Sequence, residues 1–137
     1  MPNDADQLRQ VAAEFQRMSE AVDDFRQQHF DALTADQRAR LEQFVQRLDD
    51  IHDQLTGLAI DKTLDALRGD LDRIASVTTQ AQQALKHLNT VAEIVKIVSA
   101  AAELGQAIAT ADYGAIPQAI EDIVQALPQK SDKNNTP

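Results

Sequence analysis

An all-α fold, an antiparallel four- or five-helix bundle with coiled-coil-like heptad packing, is predicted by three observations. Apolar residues recur three and four positions apart over most of the chain, beginning with Leu8, Val11, Phe15, Met18, Val22 and Phe25. That beat lays one narrow apolar stripe along a helix, and only another helix can cover it. Turn chemistry is scarce: there are four glycines and four prolines, and Pro2, Pro128 and Pro137 lie close to a terminus, too little for the hairpins of a β fold. The hydrophobic share is 43%, yet aromatic residues make up 4% and Trp is absent, so the core must be built of Leu, Ile, Val and Ala. A length of 137 residues suits one domain, read here as 1–127, followed by a polar tail over 128–137 with no side chain to anchor it.

Helices are expected over about 4–33, 35–56, 61–88, 90–111 and 117–127. The first can start at Asp4, with Gln7 three positions on as a weak capping box, and its stripe runs past Phe25 to His29 at the rim. Thr34-Ala35-Asp36-Gln37 is a stronger capping box and opens the second helix, whose stripe is Leu41, Phe44, Leu48, Ile51, Leu55 and Leu58. Gly57 is expected to end it in the left-handed conformation. From Ile60 the beat returns two residues out of phase, through Leu64, Leu67, Leu71, Ile74, Thr78, Ala81, Leu85 and Leu88, which reads as a reversal and a third helix capped by Asp61. Gly69 would lie inside that helix at a cost of about 1 kcal/mol relative to Ala.

After Asn89 a further box, Thr90-Val91-Ala92-Glu93, starts a helix whose apolar residues, from Ile94 to Ile108, cover most of its circumference. This is the pattern of a helix surrounded by others. Asp112-Tyr113-Gly114 is expected to end it, Pro117 falls in the first turn of a short last helix, and Pro128 stops that helix.

Composition then bounds function. A net charge of −9 without any cluster of Lys or Arg opposes nucleic-acid binding and permits a basic protein partner. Absence of Cys removes disulfides, thiolate metal sites and a Cys nucleophile. The amino-terminal Met1-Pro2-Asn3-Asp4-Ala5-Asp6 lacks the basic and apolar regions of a secretory signal, so a cytoplasmic location is expected, with signal-less export left open. Glu93, Lys96, Glu103 and Gln106 interrupt the most apolar stretch and weigh against a transmembrane helix.

Chemistry-bearing motifs are sparse. Of His29, His52 and His87, only His52 follows a carboxylate at metal-ligand spacing, in Asp49-Asp50-Ile51-His52. A di-iron bundle needs two Glu-x-x-His pairs and two further carboxylates, so no metal or cofactor is expected. His29 precedes Phe-Asp-Ala and His87 precedes Leu-Asn-Thr, neither the His-x-x-Lys-Gly setting of a phosphotransfer bundle. No Gly-x-Ser-x-Gly elbow surrounds Ser19, Ser76, Ser99 or Ser131, and no glycine belongs to a phosphate-binding loop. Asp23-Asp24 and Asp49-Asp50 are adjacent carboxylates, which a helix splays apart onto its solvated surface.

The functional expectation is therefore a non-enzymatic protein–protein interaction or assembly module that self-associates as a homo-oligomer by helix-in-groove burial. Its interface candidates are the stripe residues Leu8, Val11, Phe15, Met18, Val22 and Phe25, with Ile94, Val98, Leu104 and Ile108 of the apolar helix. An alternative comes from residues 91–127, where an apolar helix, a polar tip at Asp112-Tyr113-Gly114 and a second apolar helix follow in turn. That order is similar to the insertion hairpins of helical pore-forming toxins, and the likeness implies a membrane-active or secreted effector.

Overall fold

The computed structural model describes residues 4–58, 60–88 and 90–128. They form six α-helices and two single turns of 3-10 helix, and no strand occurs among the described residues. The helices are α1 (Asp4–Gln28), α2 (Ala35–Thr56), α3 (Ile60–Leu67), α4 (Leu71–Leu85), α5 (Val91–Ala109) and α6 (Ile116–Ala126). Asp4 and Asp61, expected as caps, lie inside α1 and α3 as their first and second residues, and positions 1–3, 59 and 89 and the tail from Gln129 lie outside the described residues.

α1 ends at Gln28, short of the expected Phe30 or Leu33, and Phe30–Ala32 form a 3-10 turn. The Arg38 guanidinium holds the corner that follows: its Nη1 donates to the carbonyls of Phe30 (2.9 Å) and Leu33 (2.8 Å), acceptors of the kind a helix end leaves without an intrahelical partner. The Thr34 box opens α2 with both reciprocal bonds, Gln37 N–H to Thr34 Oγ1 at 3.1 Å and Thr34 N–H to Gln37 Oε1 at 2.9 Å. Gly57 closes α2 without the left-handed conformation expected of it: its φ is −89° and its N–H bonds back to the carbonyls of Asp53 and Gln54.

The expected third helix over 61–88 is two helices. Arg68, Gly69 and Asp70 form a turn closed by the Asp70 N–H on the Leu67 carbonyl (2.8 Å). A three-residue turn keeps the 3-4 beat from Leu67 to Leu71 in phase, so periodicity alone could not reveal the break. Thr90 starts α5 by accepting the Glu93 N–H and donating its hydroxyl to Glu93 Oε1 at 2.8 Å.

α1 packs along α2 and α4, α5 packs along α6 and α2, and α4 joins the two groups. Ser19 on Val45 and His52 on Ala12 pair late α1 with early α2 and the reverse, so these helices are antiparallel. α1 and α4 instead run parallel: Gln7 Nε2 donates to Asp72 Oδ1 at 2.8 Å near both amino-terminal ends, and Phe25 and Leu85 line one cleft near both carboxy-terminal ends. This is the direction that an up-down-up order of α1, α2 and α4 produces. The core is one cluster whose fully buried members include Phe15, Met18, Leu48, Ile51, Ile74, Ile97, Leu104 and Ile108.

Candidate functional site

Two surface features carry the densest chemistry. The first is an open cleft of about 690 Å³ between the carboxy-terminal half of α1 and the turn after α4. Its floor is apolar, with Ala21, Phe25, Leu85 and Leu88, and its walls carry Arg17, Glu20, Asp24, His29, Lys86 and His87. The placement follows from helical phase, since Arg17, Ala21, Asp24 and Gln28 recur three and four apart on the flank of the α1 stripe.

Of the polar groups lining this cleft His29 and Arg17 are held in structural bonds, and His52 and Ser19 elsewhere in the bundle are held likewise. The His29 ring stacks on Phe25 with centroids 4.2 Å apart. Its Nδ1 lies 3.1 Å from the Phe25 carbonyl, and because a carbonyl only accepts, Nδ1 carries the proton and donates. His52 is held in the same way by the Ala12 carbonyl at 2.8 Å. The Glu14 carboxylate is buried, and the half-exposed Arg17 donates to it. The Ser19 hydroxyl is buried and donates to the Val45 carbonyl at 3.3 Å, which removes it from nucleophilic use. Among the described residues, no group of three or more His, Asp or Glu side chains is arranged to hold a metal ion.

The second feature is the corner between α1 and α2. Phe30 is 46% exposed, and the Arg38 guanidinium lies 4.4 Å above its ring centroid while also bonding the two carbonyls of the corner. The aromatic ring is thus presented to solvent on a fixed backbone, with a cation covering one face. Sequence reasoning singled out neither residue, placing Phe30 inside a first helix that ran to 33 and Arg38 inside the second. The available signal was phase: Phe30 follows Phe25 by five positions, off the 3-4 beat, directly before a capping box.

All ten interface candidates lie inside this fold. Leu8, Val11, Phe15, Met18, Val22, Phe25, Ile94, Val98, Leu104 and Ile108 are each no more than 6% exposed and belong to the common core. The helices bring them together, but against one another, so a partner meeting the closed fold must touch other residues. A shallower cleft of about 330 Å³ between α2 and the α5–α6 hairpin carries Arg47, Glu103, Asp112 and Asp122 over a floor of Ala107, Ala115 and Ala119.

Comparisons of the chain with protein-family models, with curated proteins and with solved structures find no match.

Proposed function

We propose that this chain is a non-enzymatic helical module that binds another protein. The observation that supports this most is Phe30, a large apolar ring exposed to water and immobilised by Arg38. Rigid aromatic side chains lose little entropy on binding and dominate the energetics of many interfaces. In this reading the scaffold is a single domain over residues 1–127, an antiparallel bundle with coiled-coil-like packing along the α1–α2 seam, acting in the cytoplasm.

The net charge of −9 favours a basic partner surface. Self-association is the narrower form of the same proposal. The stripes that first suggested it are occupied within the chain, and two acidic copies repel, so a copy–copy contact needs an apolar anchor such as Phe30. For the membrane-active alternative, α5 and α6 bury most of their apolar residues, with Val124 of α6 exposed, and among the described residues no helix is long and apolar enough to cross a membrane.

The test is sedimentation velocity of the chain alone over a wide concentration range, together with cross-linking and partner capture in the native host using wild type and Phe30→Ala. Phe30→Ala should keep the helical circular dichroism spectrum and weaken capture by about tenfold or more. A monomer at every concentration whose captured partners are all retained by Phe30→Ala would defeat the proposal.

A further inference from the structure

The contact between α1 and α4 differs from its neighbours in how its polar atoms are satisfied. Along the α1–α2 contact, Ser19 and His52 both reach backbone carbonyls. Along the α1–α4 contact the buried Thr78 hydroxyl donates to the Ile74 carbonyl of its own helix (2.9 Å), but two further polar side chains, Glu14 and Gln82, are also buried. Glu14 recurs seven residues after Gln7 and seven before Ala21; Gln7 bonds Asp72 on α4 and Ala21 lines the cleft with Leu85, so Glu14 faces α4 as they do. Gln82 lies one turn before Leu85 and Lys86 and angularly between them. Both of those line the cleft against α1, so Gln82 points towards α1. It is 4% exposed, and its Nε2 has no hydrogen-bond partner.

A buried donor without a partner, on the same helix contact as a buried carboxylate whose cation is half in solvent, penalises the closed contact, and water relieves both when the contact opens. The surroundings permit the motion. The turn at Gly69 joins α4 to α3, and a Cβ there would meet nothing within 4 Å. The tight approach of α5 to α2 at Gly105 and Ile51 supplies an axis that can stay closed. We propose that the α1–α4 seam opens in the native protein as a sub-global event: α4 parts from α1 while the α1–α2 hairpin and the α2–α5 contact persist. Opening uncovers Met18, Phe25 and Leu85, which are buried in the closed form, so the open form is a minor, apolar-faced state.

The absence of native Cys makes the test direct. Single thiols are placed by Thr78→Cys, buried on α4 at the heptad position of Leu85, and by Ala12→Cys, buried on α1 beside α2. Each is labelled with a soluble disulfide reagent under native conditions at rising urea. The Thr78→Cys thiol should react about tenfold or more faster than the Ala12→Cys thiol, with a shallower urea dependence, since sub-global opening exposes less surface than unfolding. Adding Gln82→Leu should slow Thr78→Cys labelling about tenfold or more, because the closed form no longer buries an unpaired donor. Should Thr78→Cys disturb the fold by circular dichroism, Leu71→Cys, buried one heptad earlier on α4, replaces it. Equal rates and urea slopes for the two thiols, or a Thr78→Cys rate unmoved by Gln82→Leu, would overturn the proposal.

Discussion

Gly105 shows how a single residue sets the distance between helices. A Cβ built there would stand 2.5 Å from Ile51 Cγ2 and 2.9 Å from Phe15 Cζ, inside the contact limit for packed carbon atoms. Ile51 is β-branched and both neighbours are fully buried, so neither can turn aside cheaply. Gly105→Ala is expected to lose about 1–3 kcal/mol through overpacking, against up to about 1 kcal/mol gained in helix propensity. Gly69→Ala, with open space around it and no positive φ, should instead gain about 0.4–1 kcal/mol by restricting the unfolded chain. Urea unfolding of both variants checks the pair, and a Gly105→Ala protein as stable as wild type would mean the three helices sit further apart. Nothing in the sequence marks Gly105 as different from Gly69. What separates them is which side chains arrive from α1 and α2, a tertiary fact.

At the scale of elements, the carboxy-terminal end of α5 carries a mismatch between backbone and side chain. The Asp112 N–H bonds the Ala107 carbonyl at 2.8 Å and the Ala111 N–H bonds the Ile108 carbonyl at 3.2 Å, the two bonds of a Schellman ending. The position that must then be left-handed is Ala111, with φ 60°, where glycine is favoured and an L side chain is strained. Ala111→Gly is expected to stabilise the protein by about 0.5–1 kcal/mol, less than the full strain because glycine also loosens the unfolded state. A higher urea midpoint at unchanged slope is the confirming result, and a lower midpoint would show the strain to be absent. The same helix end shows what was legible. The capping box at Thr34 and the side-chain cap at Thr90, which lacks the box's return bond to the backbone N–H, are local hydrogen-bond patterns and can be read from residue types alone. The Ala111 ending and the turn at Arg68–Asp70 are not so readable. One uses an unfavoured residue in the left-handed position, and the other preserves the apolar beat it interrupts.

For the whole molecule, periodicity predicted that the stripes would be buried but carried no information on whether the burying helix belongs to the same chain. The residues that close the core and those that would join two copies obey one hydrophobic rule, so Leu8 to Phe25 were readable as either. Phe30 and the cleft beside His29 depend on how turns place off-beat residues, which no periodic rule reaches. Charge, by contrast, is fully visible in the sequence and acts on the fold as a whole. The ion pairs Asp6–Arg9, Asp23–Arg26 and Asp65–Arg68 each join residues three apart that are at least partly exposed, and such local pairs contribute only a few tenths of a kcal/mol each, whereas the fourth, Glu14–Arg17, has a buried carboxylate. A net charge of −9 leaves repulsion among the remaining carboxylates as the larger long-range effect. Raising sodium chloride from about 0.01 to about 0.15 M shortens the screening length from roughly 30 to 8 Å, which suppresses that repulsion more than the contact pairs. The melting temperature should therefore rise by about 2–4 °C, the shift that roughly 1 kcal/mol brings in a chain of this size. Circular dichroism melts across that salt range decide it. A falling melting temperature would mean that attractive pairs dominate the folded state's electrostatics, and that the preference for a basic partner must rest on local surface charge.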